Sequence, residues 1–337
     1  MNPKLHVLVP FWGLAGGVIK VLDYAEHGHH GGFDVTLWAA TPGTTDPLLT
    51  SLPVMERLLA AGVTHRPLDE LSAIELGERD RLLFTEPAHG ALVDRIGAPA
   101  ERLIHLVQGT RHATPTWNNG LHYRLLHRPF VRIAVSEQVR SAIAPHVHKA
   151  LPLHLVPEGH DIDYFTLDRS AMNTGTPLRV LYSTWKSDLG DAVEKLCDPT
   201  EVVFTAMRSA QSWPSLRNHY RAADIFLAAP GPEEGFYLPG LEAMAAQCAV
   251  VMALVGGNEA YATPGHNMIT ASFDDATEHA AAISQLAGDT DLRAALLAAG
   301  LQTAQGRRLE HERNAALRIL RSPVENYDEI DSQEVAL

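Results

Sequence analysis

The chain has 337 residues, of which 46% are hydrophobic and 20% charged, a composition typical of a soluble globular protein long enough for two domains. Its formal net charge of −13 argues against a general nucleic-acid-binding protein, because contacts with phosphates require a positive surface. Two cysteines are too few for a disulfide framework and favour a reducing compartment, so we expect a cytoplasmic protein. The apolar N-terminus contains glycines and lacks a small-x-small cleavage site, and no later apolar stretch is long enough to span a bilayer.

The first half of the chain alternates between predicted strands and helices. Residues 5–11 form a compact apolar run typical of a buried parallel strand, and a glycine-bearing loop follows it. Apolar residues at helical spacing then predict a helix over residues 18–26, and residues 33–39 resemble a second strand, which completes a βαβ unit. Further strands are predicted at residues 81–85, 103–108 and 132–136. The first half is therefore predicted to be a doubly wound α/β domain.

The second half begins again in the same style. Helices are predicted at residues 191–196 and 241–246, and strands at residues 178–183, 201–206, 225–228 and 249–255. Residues 168–177 are rich in turn formers and are the best candidate for a linker. We therefore predict one domain over residues 1–165 and another over residues 166–306. A helix at about 307–322 is expected to pack back on the first domain, and residues 323–337 form an acidic tail.

The loop after the first strand contains Gly13, Gly16 and Gly17 in the order G-L-A-G-G, which is not the G-x-G-x-x-G of dinucleotide-binding enzymes. The second strand also ends without an acidic residue for an adenosine ribose, so a dinucleotide-dependent dehydrogenase is disfavoured. Gly16 and Gly17 open a predicted helix, where free backbone N–H groups and the helix dipole favour an anion. A tight packing turn explains the glycines equally well, so this loop alone does not decide the function.

The most informative stretch is residues 232–261, which places two acids around the start of a predicted helix. Glu234 precedes this helix and Glu242 lies in its first turn, while Pro239 is well suited to a helix start. Both carboxylates can therefore flank one pocket, into which the backbone N–H groups of residues 236–238 also point. Carboxylates that accept from sugar hydroxyls, beside amides that bind phosphate, are what a nucleotide-sugar requires. Taken alone, Glu242 is better explained as a complement to the helix dipole.

The string E-G-F-Y-L-P-G-L-E-A-M-A at residues 234–245 resembles the donor-site signature of retaining glycosyltransferases with the B-type (GT-B) fold, the glycogen-phosphorylase-like two-Rossmann superfamily, and especially of the large fourth family. The two glutamates are separated by seven residues in that family, as they are here, and the following V-V and G-G-N-E also match. Residues 156–165 (VPEGHDIDYF) resemble the interdomain V-P-N-G-V-D-x-x-x-F segment, and residues 221–226 (RAADIF) resemble the strand before the donor loop. The resemblance implies an α/β fold of two Rossmann-like, doubly wound parallel-sheet domains that face a central cleft.

By this resemblance the N-terminal domain binds the acceptor and the C-terminal domain binds a nucleotide-sugar donor, without a metal or another cofactor. Glu234 is expected to be catalytic and to contact hydroxyls of the transferred sugar, and Glu242 is expected to bind the ribose. The sugar and the diphosphate are expected to contact backbone groups of Gly16, Gly17, Gly235, Phe236, Tyr237 and Leu238. The resemblance implies transfer to an acceptor hydroxyl with retention at the anomeric carbon, helped by the leaving diphosphate, which removes the acceptor proton.

The sequence departs from the family pattern at several positions. The family has an arginine and a lysine for the diphosphate, whereas this chain has Lys186 alone, which is expected to bind the donor and take part in catalysis, with Arg208 as a candidate for the second cation. Gln108 occupies the place of a family histidine and is expected to be catalytic, while the nearby His105 and His112 are candidates for acceptor binding. The missing cation keeps a second hypothesis open, a catalytically silent homologue that acts as a binding or regulatory subunit.

Other motifs are assigned to structure rather than to metal binding. The D-x-D at residues 161–163 falls inside the interdomain match, and the one at residues 289–291 precedes a helix that Asp289 would cap. The histidines of residues 27–30 have no carboxylate or cysteine partner nearby, which favours a solvated helix-end loop. Residues 111–132 collect four arginines and three aromatic residues, a pattern that fits an anionic acceptor, peripheral contact with a membrane or a partly solvated helix. The oligomeric state is not predicted.

Overall fold

A computed structural model describes residues 2–39, 46–168 and 175–322 of the chain. The chain divides into two compact units, of which one contains the residues up to Pro157 together with those from Glu310, and the other spans Glu158–Leu309. The division lies after Pro157, before the predicted boundary at residue 165, because the short helix Ile162–Phe165 packs on a helix of the second unit. Most of the predicted linker and the predicted acidic tail lie outside the described residues.

Each unit is built around a parallel sheet. The strands of the first unit are β1 (Lys4–Leu8), β2 (Asp34–Ala39), β3 (Thr64–Pro67), β4 (Arg81–Phe84), β5 (Leu103–Val107), β6 (Val131–Ala134) and β7 (Leu153–Leu155), in the spatial order β3-β2-β1-β4-β5-β6-β7. The strands of the second unit are β8 (Leu178–Ser183), β9 (Val202–Met207), β10 (Ile225–Ala228), β11 (Ala249–Met252) and β12 (Ile269–Thr270), in the order β12-β11-β10-β8-β9. Both orders are those of doubly wound α/β folds, which confirms the predicted fold class.

Helices connect the strands and cover the sheets. In chain order they are α1 (Gly16–His30), α2 (Pro47–Thr50), α3 (Pro53–Ala60), α4 (Pro87–Ile96), α5 (Leu121–Leu126), α6 (Glu137–Ile143), α7 (Ile162–Phe165), α8 (Leu189–Glu194), α9 (Trp213–Ala222), α10 (Leu238–Ala245), α11 (Ala276–Gly288), α12 (Thr290–Gln305) and α13 (Leu309–Arg321). Short 3₁₀ turns lie at Leu68–Ala73, Ala100–Arg102, Thr110–Ala113, Trp117–Gly120 and Gly256–Ala260. Within the described part of the chain, no helix combines the length and the apolar character needed to cross a bilayer.

The strands read as apolar runs because helices cover both faces of a parallel sheet. Leu5 and Val7 of β1 are completely buried and pair in register with Val35 and Leu37 of β2. The same pattern holds in β10 and β11, whose residues are all buried. These central strands were predicted from the sequence, although β1 is shorter than predicted and ends at Leu8.

The C-terminal helix α13 is held against α1 of the first unit by buried charges. The Lys20 ammonium lies 2.7 Å from the Glu312 carboxylate and 2.9 Å from the Asp23 carboxylate. All three side chains are almost completely removed from solvent, so each charge depends on the others for its stabilisation. This ionic contact joins residues nearly three hundred positions apart in the chain.

Candidate functional site

The sheet of the second unit has a topological switch point between β8 and β10. From β8 the chain crosses to β9 on one side, whereas β10 leads to β11 on the other side. Ligands of open α/β sheets bind outside the carboxyl ends of the strands at such a point. The loops that follow β8 and β10 are residues 184–188 and 229–237. Lys186 lies in the first of these loops and Glu234 in the second, so both are at the switch point.

An ion pair joins these two loops. The Lys186 Nζ lies 2.7 Å from Glu234 Oε1 and 5.1 Å from the centre of the Tyr237 ring. The Gly231 backbone N–H donates to the same carboxylate oxygen at 2.7 Å, which orients the Glu234 side chain. The Lys186 side chain is 42% exposed and that of Glu234 is 15% exposed, so the pair is open to solvent. An exposed pair of this kind adds little to stability, and its partners can be exchanged for those of a ligand.

The N-terminus of α10 lies directly after Glu234. The backbone N–H groups of Phe236, Tyr237 and Leu238 have no hydrogen-bond acceptor among the residues that the structure describes. Pro239 stands in the first turn, where its missing N–H is of no consequence. The Tyr261 hydroxyl donates to the Tyr237 carbonyl at 2.6 Å, and this buried hydrogen bond holds the end of the loop that precedes α10. Free amides and the positive end of a helix together form an arrangement that attracts a phosphate group.

A pair of glycines supports this loop from the other side. A Cβ atom on Gly257 would overlap with the backbone of Gly235 and Phe236, and one on Gly256 would meet the Pro232 carbonyl. Gly256 also has a φ of +47°, which other residues rarely adopt. The G-G-N-E string, identified in the sequence as part of a family pattern, therefore has a physical reason here: two backbones approach closely.

Glu242 is buried and both of its oxygens have partners. His160 Nε2 lies 3.0 Å from Oε1, and the Tyr220 hydroxyl donates to Oε2 at 2.9 Å. The carboxylate is thus buried and held rigidly within the second unit, and its contact with a ribose stays a prediction. His160 and Tyr220 were not identified from the sequence. The one available signal was that His160 stands where the V-P-N-G-V-D pattern has its second valine.

Arg208, the candidate for the second diphosphate cation, is engaged elsewhere. Its guanidinium donates to both carboxylate oxygens of Asp191, at 2.7 Å and 3.2 Å. This contact is the main reason that the pKa of Asp191 is lowered to about 2. In this structure Arg208 therefore pairs with Asp191 rather than supplementing the charge of Lys186.

In the first unit, the structure brings Gln108 together with the glycines of the first loop. Gly16 and Gly17 are the first residues of α1, as predicted. The Gln108 Nε2 donates to the Gly17 carbonyl at 3.2 Å, and a Cβ on Gly17 would meet Gln108 Oε1 at 3.1 Å. The Gln108 side chain, which follows β5, thus contacts the backbone at the start of α1, which follows β1.

His105 and His112, the predicted acceptor-binding residues, lie in the interior of the first unit. The His105 ring is completely buried, stacks on Phe84 at 5.2 Å and lies 3.3 Å from the Thr85 carbonyl. Burial holds the pKa values of both histidines well below the usual 6.5. Strand β5 directs His105 into the core, so an acceptor cannot reach this ring. The prediction of acceptor contact therefore needs correction for His105, and His112 is almost as deeply buried.

The D-x-D segments have structural partners. Asp163 pairs with Arg308 at 3.0 Å, and Asp289 caps α12 by accepting from the Leu292 N–H at 2.9 Å. Across residues 2–39, 46–168 and 175–322, no three His, Cys, Asp or Glu side chains are grouped as a metal site would require.

Part of the second unit is similar in sequence to a known protein family. Residues 183–289 match the family described as "Glycosyl transferases group 1", a range that includes Lys186, Glu234 and Glu242. No curated protein sequence matches the chain at a significant level.

Solved structures share the fold of the chain over nearly its whole length. Alr3699/HepE of Anabaena, in complex with UDP and glucose, is 14% identical with a TM-score of 0.73, and the match covers 95% of this chain and 99% of that protein. Sucrose-phosphate synthase of Thermosynechococcus elongatus is 15% identical with a TM-score of 0.70, over 98% and 99% of the two chains. A glycosyltransferase of Rickettsia africae is 13% identical with a TM-score of 0.66, over 97% and 100%. At these identities the likeness establishes the fold.

Proposed function

Because the second unit carries a group 1 glycosyltransferase domain and the chain has the B-type glycosyltransferase fold, we propose that it transfers a sugar from a nucleotide-diphosphate sugar to an acceptor hydroxyl. A structure of the Anabaena protein contains UDP-glucose, which favours a uridine nucleotide as the donor here. Cys197 and Cys248 are not joined in a disulfide, which fits a reducing compartment, and we place the reaction in the cytoplasm.

One observation carries this proposal: the Lys186–Glu234 ion pair lies at the switch point, beside the free amides at the start of α10. A diphosphate binds Lys186 and the amides more strongly than Glu234 can, because it carries more negative charge and more acceptor oxygens. Donor binding would then release the Glu234 carboxylate, which becomes free to accept hydrogen bonds from hydroxyls of the sugar. In the absence of a donor, Glu234 therefore occupies the position at Lys186 that the diphosphate would take.

Glu242 supports the same donor from a more rigid position. An ionised carboxylate has about four lone-pair sites, so two hydrogen bonds leave room for a ribose hydroxyl. His160 and Tyr220 hold the group from within the unit. Pre-ordering of a carboxylate reduces the entropy that a ligand must lose on binding.

We propose a metal-independent, retaining reaction. The bond between the anomeric carbon and the diphosphate oxygen breaks, the acceptor oxygen bonds to that carbon on the same face, and the acceptor proton passes to the leaving diphosphate. In this scheme Lys186 and the N-terminal amides of α10 stabilise the negative charge that develops on the diphosphate. Gln108, beside Gly17, is assigned to orienting the reacting groups.

A second candidate function is supported by Arg208. The guanidinium of Arg208 is bound by Asp191, while Lys186 is the cation that pairs with Glu234. A silent homologue that binds a nucleotide sugar without turnover fits this arrangement, and a regulatory role would follow.

Turnover separates the two functions. The full chain is incubated with UDP-, GDP- and dTDP-sugars, and release of the nucleoside diphosphate is measured with and without added sugars as acceptors. We expect release from a UDP-sugar in the absence of added metal. Binding without release would favour the silent homologue, and neither binding nor release would overturn the proposal.

A further inference from the structure

A second group of polar side chains lies at the carboxyl edge of the first sheet. Glu86 follows β4, Arg111 follows β5, and Trp117, Asn118 and His122 belong to the turn and helix after it. Because β1, β4 and β5 are adjacent parallel strands, their following loops meet at one edge. We refer to Glu86, Arg111, Trp117, Asn118 and His122 as the Glu86 cluster.

A buried histidine orients the carboxylate of this cluster. His122 Nε2 lies 3.1 Å from Glu86 Oε2, and the Asn118 side-chain amide lies 3.4 Å from His122 Nδ1. Since the amide nitrogen of Asn118 can only donate, Nδ1 accepts and Nε2–H donates to Glu86. The His122 side chain is 3% exposed, whereas that of Glu86 is 41% exposed. One carboxylate oxygen of Glu86 is therefore held by His122, while the carboxylate remains accessible to solvent.

Arg111 differs from the other arginines of the predicted basic stretch. Arg132 is buried and donates to backbone carbonyls, Arg128 pairs with Asp94, and Arg124 donates to the Asn119 carbonyl at 2.9 Å. Arg111 lies 4.9 Å from the centre of the Trp117 ring and has no carboxylate or carbonyl partner among the described residues.

The Trp117 ring contacts both Arg111 and His122, and His122 in turn holds Glu86. Trp117 also packs on His122, with ring centres 4.3 Å apart, so Arg111 and Glu86 are anchored to the same support. The hydrogen bond from His122 is the main cause of a lowered pKa of Glu86, and the positive charge of Arg111 adds to it. The Glu86 carboxylate is open to solvent, whereas Nε of Arg111 is buried and has no hydrogen-bond partner within the described part of the chain. A carboxylate and a guanidinium held in this way can serve the hydroxyl groups of a ligand as acceptor and donor.

We propose that Glu86 and Arg111 form a subsite for an uncharged, polyhydroxylated acceptor, that is, a sugar without a phosphate or carboxylate. This inference rests on the proposed function and names the class of its acceptor. The charges of Glu86 and Arg111 are opposite and cancel, so this pair gives no net attraction to an anion. A phosphate bound to Arg111 would also meet repulsion from Glu86.

The test uses the full chain with the nucleotide sugar that it hydrolyses fastest. Acceptors are glucose, galactose, mannose and N-acetylglucosamine, each compared with its 6-phosphate. We expect transfer to at least one uncharged sugar and weaker or no transfer to the phosphates. Glu86→Gln should raise the acceptor KM by about ten-fold or more while hydrolysis of the donor stays within about two-fold, because a charge-assisted hydrogen bond to the acceptor is lost.

Matched variants separate positioning from folding. Glu101→Gln, an exposed glutamate of the same unit, should leave all constants unchanged. His122→Ala should raise the acceptor KM. His122→Gln keeps an N–H donor for Glu86 and should return the acceptor KM most of the way to the wild-type value. Preference for phosphates, transfer to none of the sugars, or an unchanged KM in Glu86→Gln, with donor hydrolysis intact, would overturn the subsite alone. Loss of all donor hydrolysis in the wild type would instead overturn the proposed function, and the subsite with it.

Discussion

At the scale of single residues, Glu234 and Lys186 form an ion pair that a donor is expected to open. Replacement of Glu234 by Ala removes the acceptor for the sugar hydroxyls but leaves Lys186 free for the diphosphate. We therefore expect turnover to fall by about 100-fold, the range seen when a transition-state contact is removed, while UDP affinity is unchanged or tighter. Steady-state kinetics and calorimetry of UDP binding check this expectation. Glu201→Ala, on an exposed turn of the same unit, is the control, and equal losses of affinity and turnover would contradict the assignment.

Glu242 is a residue where binding and stability are coupled. Its removal leaves the Tyr220 hydroxyl and His160 Nε2 without their acceptor, and each buried unpaired group costs about 1–3 kcal/mol. Glu242→Ala should therefore weaken UDP binding by about ten-fold and also lower the melting temperature. Glu242→Gln keeps one acceptor oxygen and should recover stability more than affinity. A Glu242→Ala protein with normal UDP affinity would show that Glu242 has a structural role only.

At the scale of elements, the glycine pair after β11 controls the loop that precedes α10. A methyl group on Gly257 would overlap with the backbone of Gly235 and Phe236, so Gly257→Ala must displace this loop. We expect a loss of about 1–3 kcal/mol in unfolding free energy, typical of overpacking, and a marked loss of UDP affinity. Gly288→Ala is the matched control, because a Cβ there meets nothing within 4 Å. Normal UDP binding by Gly257→Ala, measured by calorimetry, would contradict this reading.

The strands and the side-chain contacts differ in how well they could be predicted from the sequence. The central strands were found because buried parallel strands leave continuous apolar runs. The short strands β3, β7 and β12 were missed, since two to four residues at a sheet edge carry no such run. The Lys186–Glu234 pair was within reach because both residues lie in or beside recognisable motifs. The His160–Glu242 and Glu86–His122 contacts were not, because only the folded chain brings together residues 82 and 36 positions apart.

At the scale of the whole molecule, the two units should respond differently to acid. Burial lowers the pKa values of His6, His89 and His154 from 6.5 to about 4, and all three belong to the first unit. Such a histidine stays neutral in the folded state, while the unfolded chain takes up a proton below about pH 6.5. The stabilisation is therefore fully present above pH 6.5 and is lost as the pH falls towards 4, by up to about 1.4 kcal/mol per pH unit for each histidine.

Hydrogen exchange followed by mass spectrometry, corrected for intrinsic rates, distinguishes the units. Between pH 7 and 5 we expect protection to fall first in peptides from β4 and β7 and later in peptides from β10 and β11. His154→Leu removes one of the buried ionisable groups and should reduce the difference. Equal loss of protection in both units would show that other groups govern the acid response.

The most direct measurement is calorimetric titration of UDP into the wild-type chain, Lys186→Ala and the control Lys195→Ala, an exposed lysine of the same unit. The central claim is that Lys186 and the start of α10 bind the diphosphate of the donor. We expect the wild type and Lys195→Ala to bind UDP equally and Lys186→Ala to bind it about ten-fold or more weakly, the effect of losing one charge-assisted contact. Equal affinities in all three proteins, or no binding by the wild type, would contradict the claim.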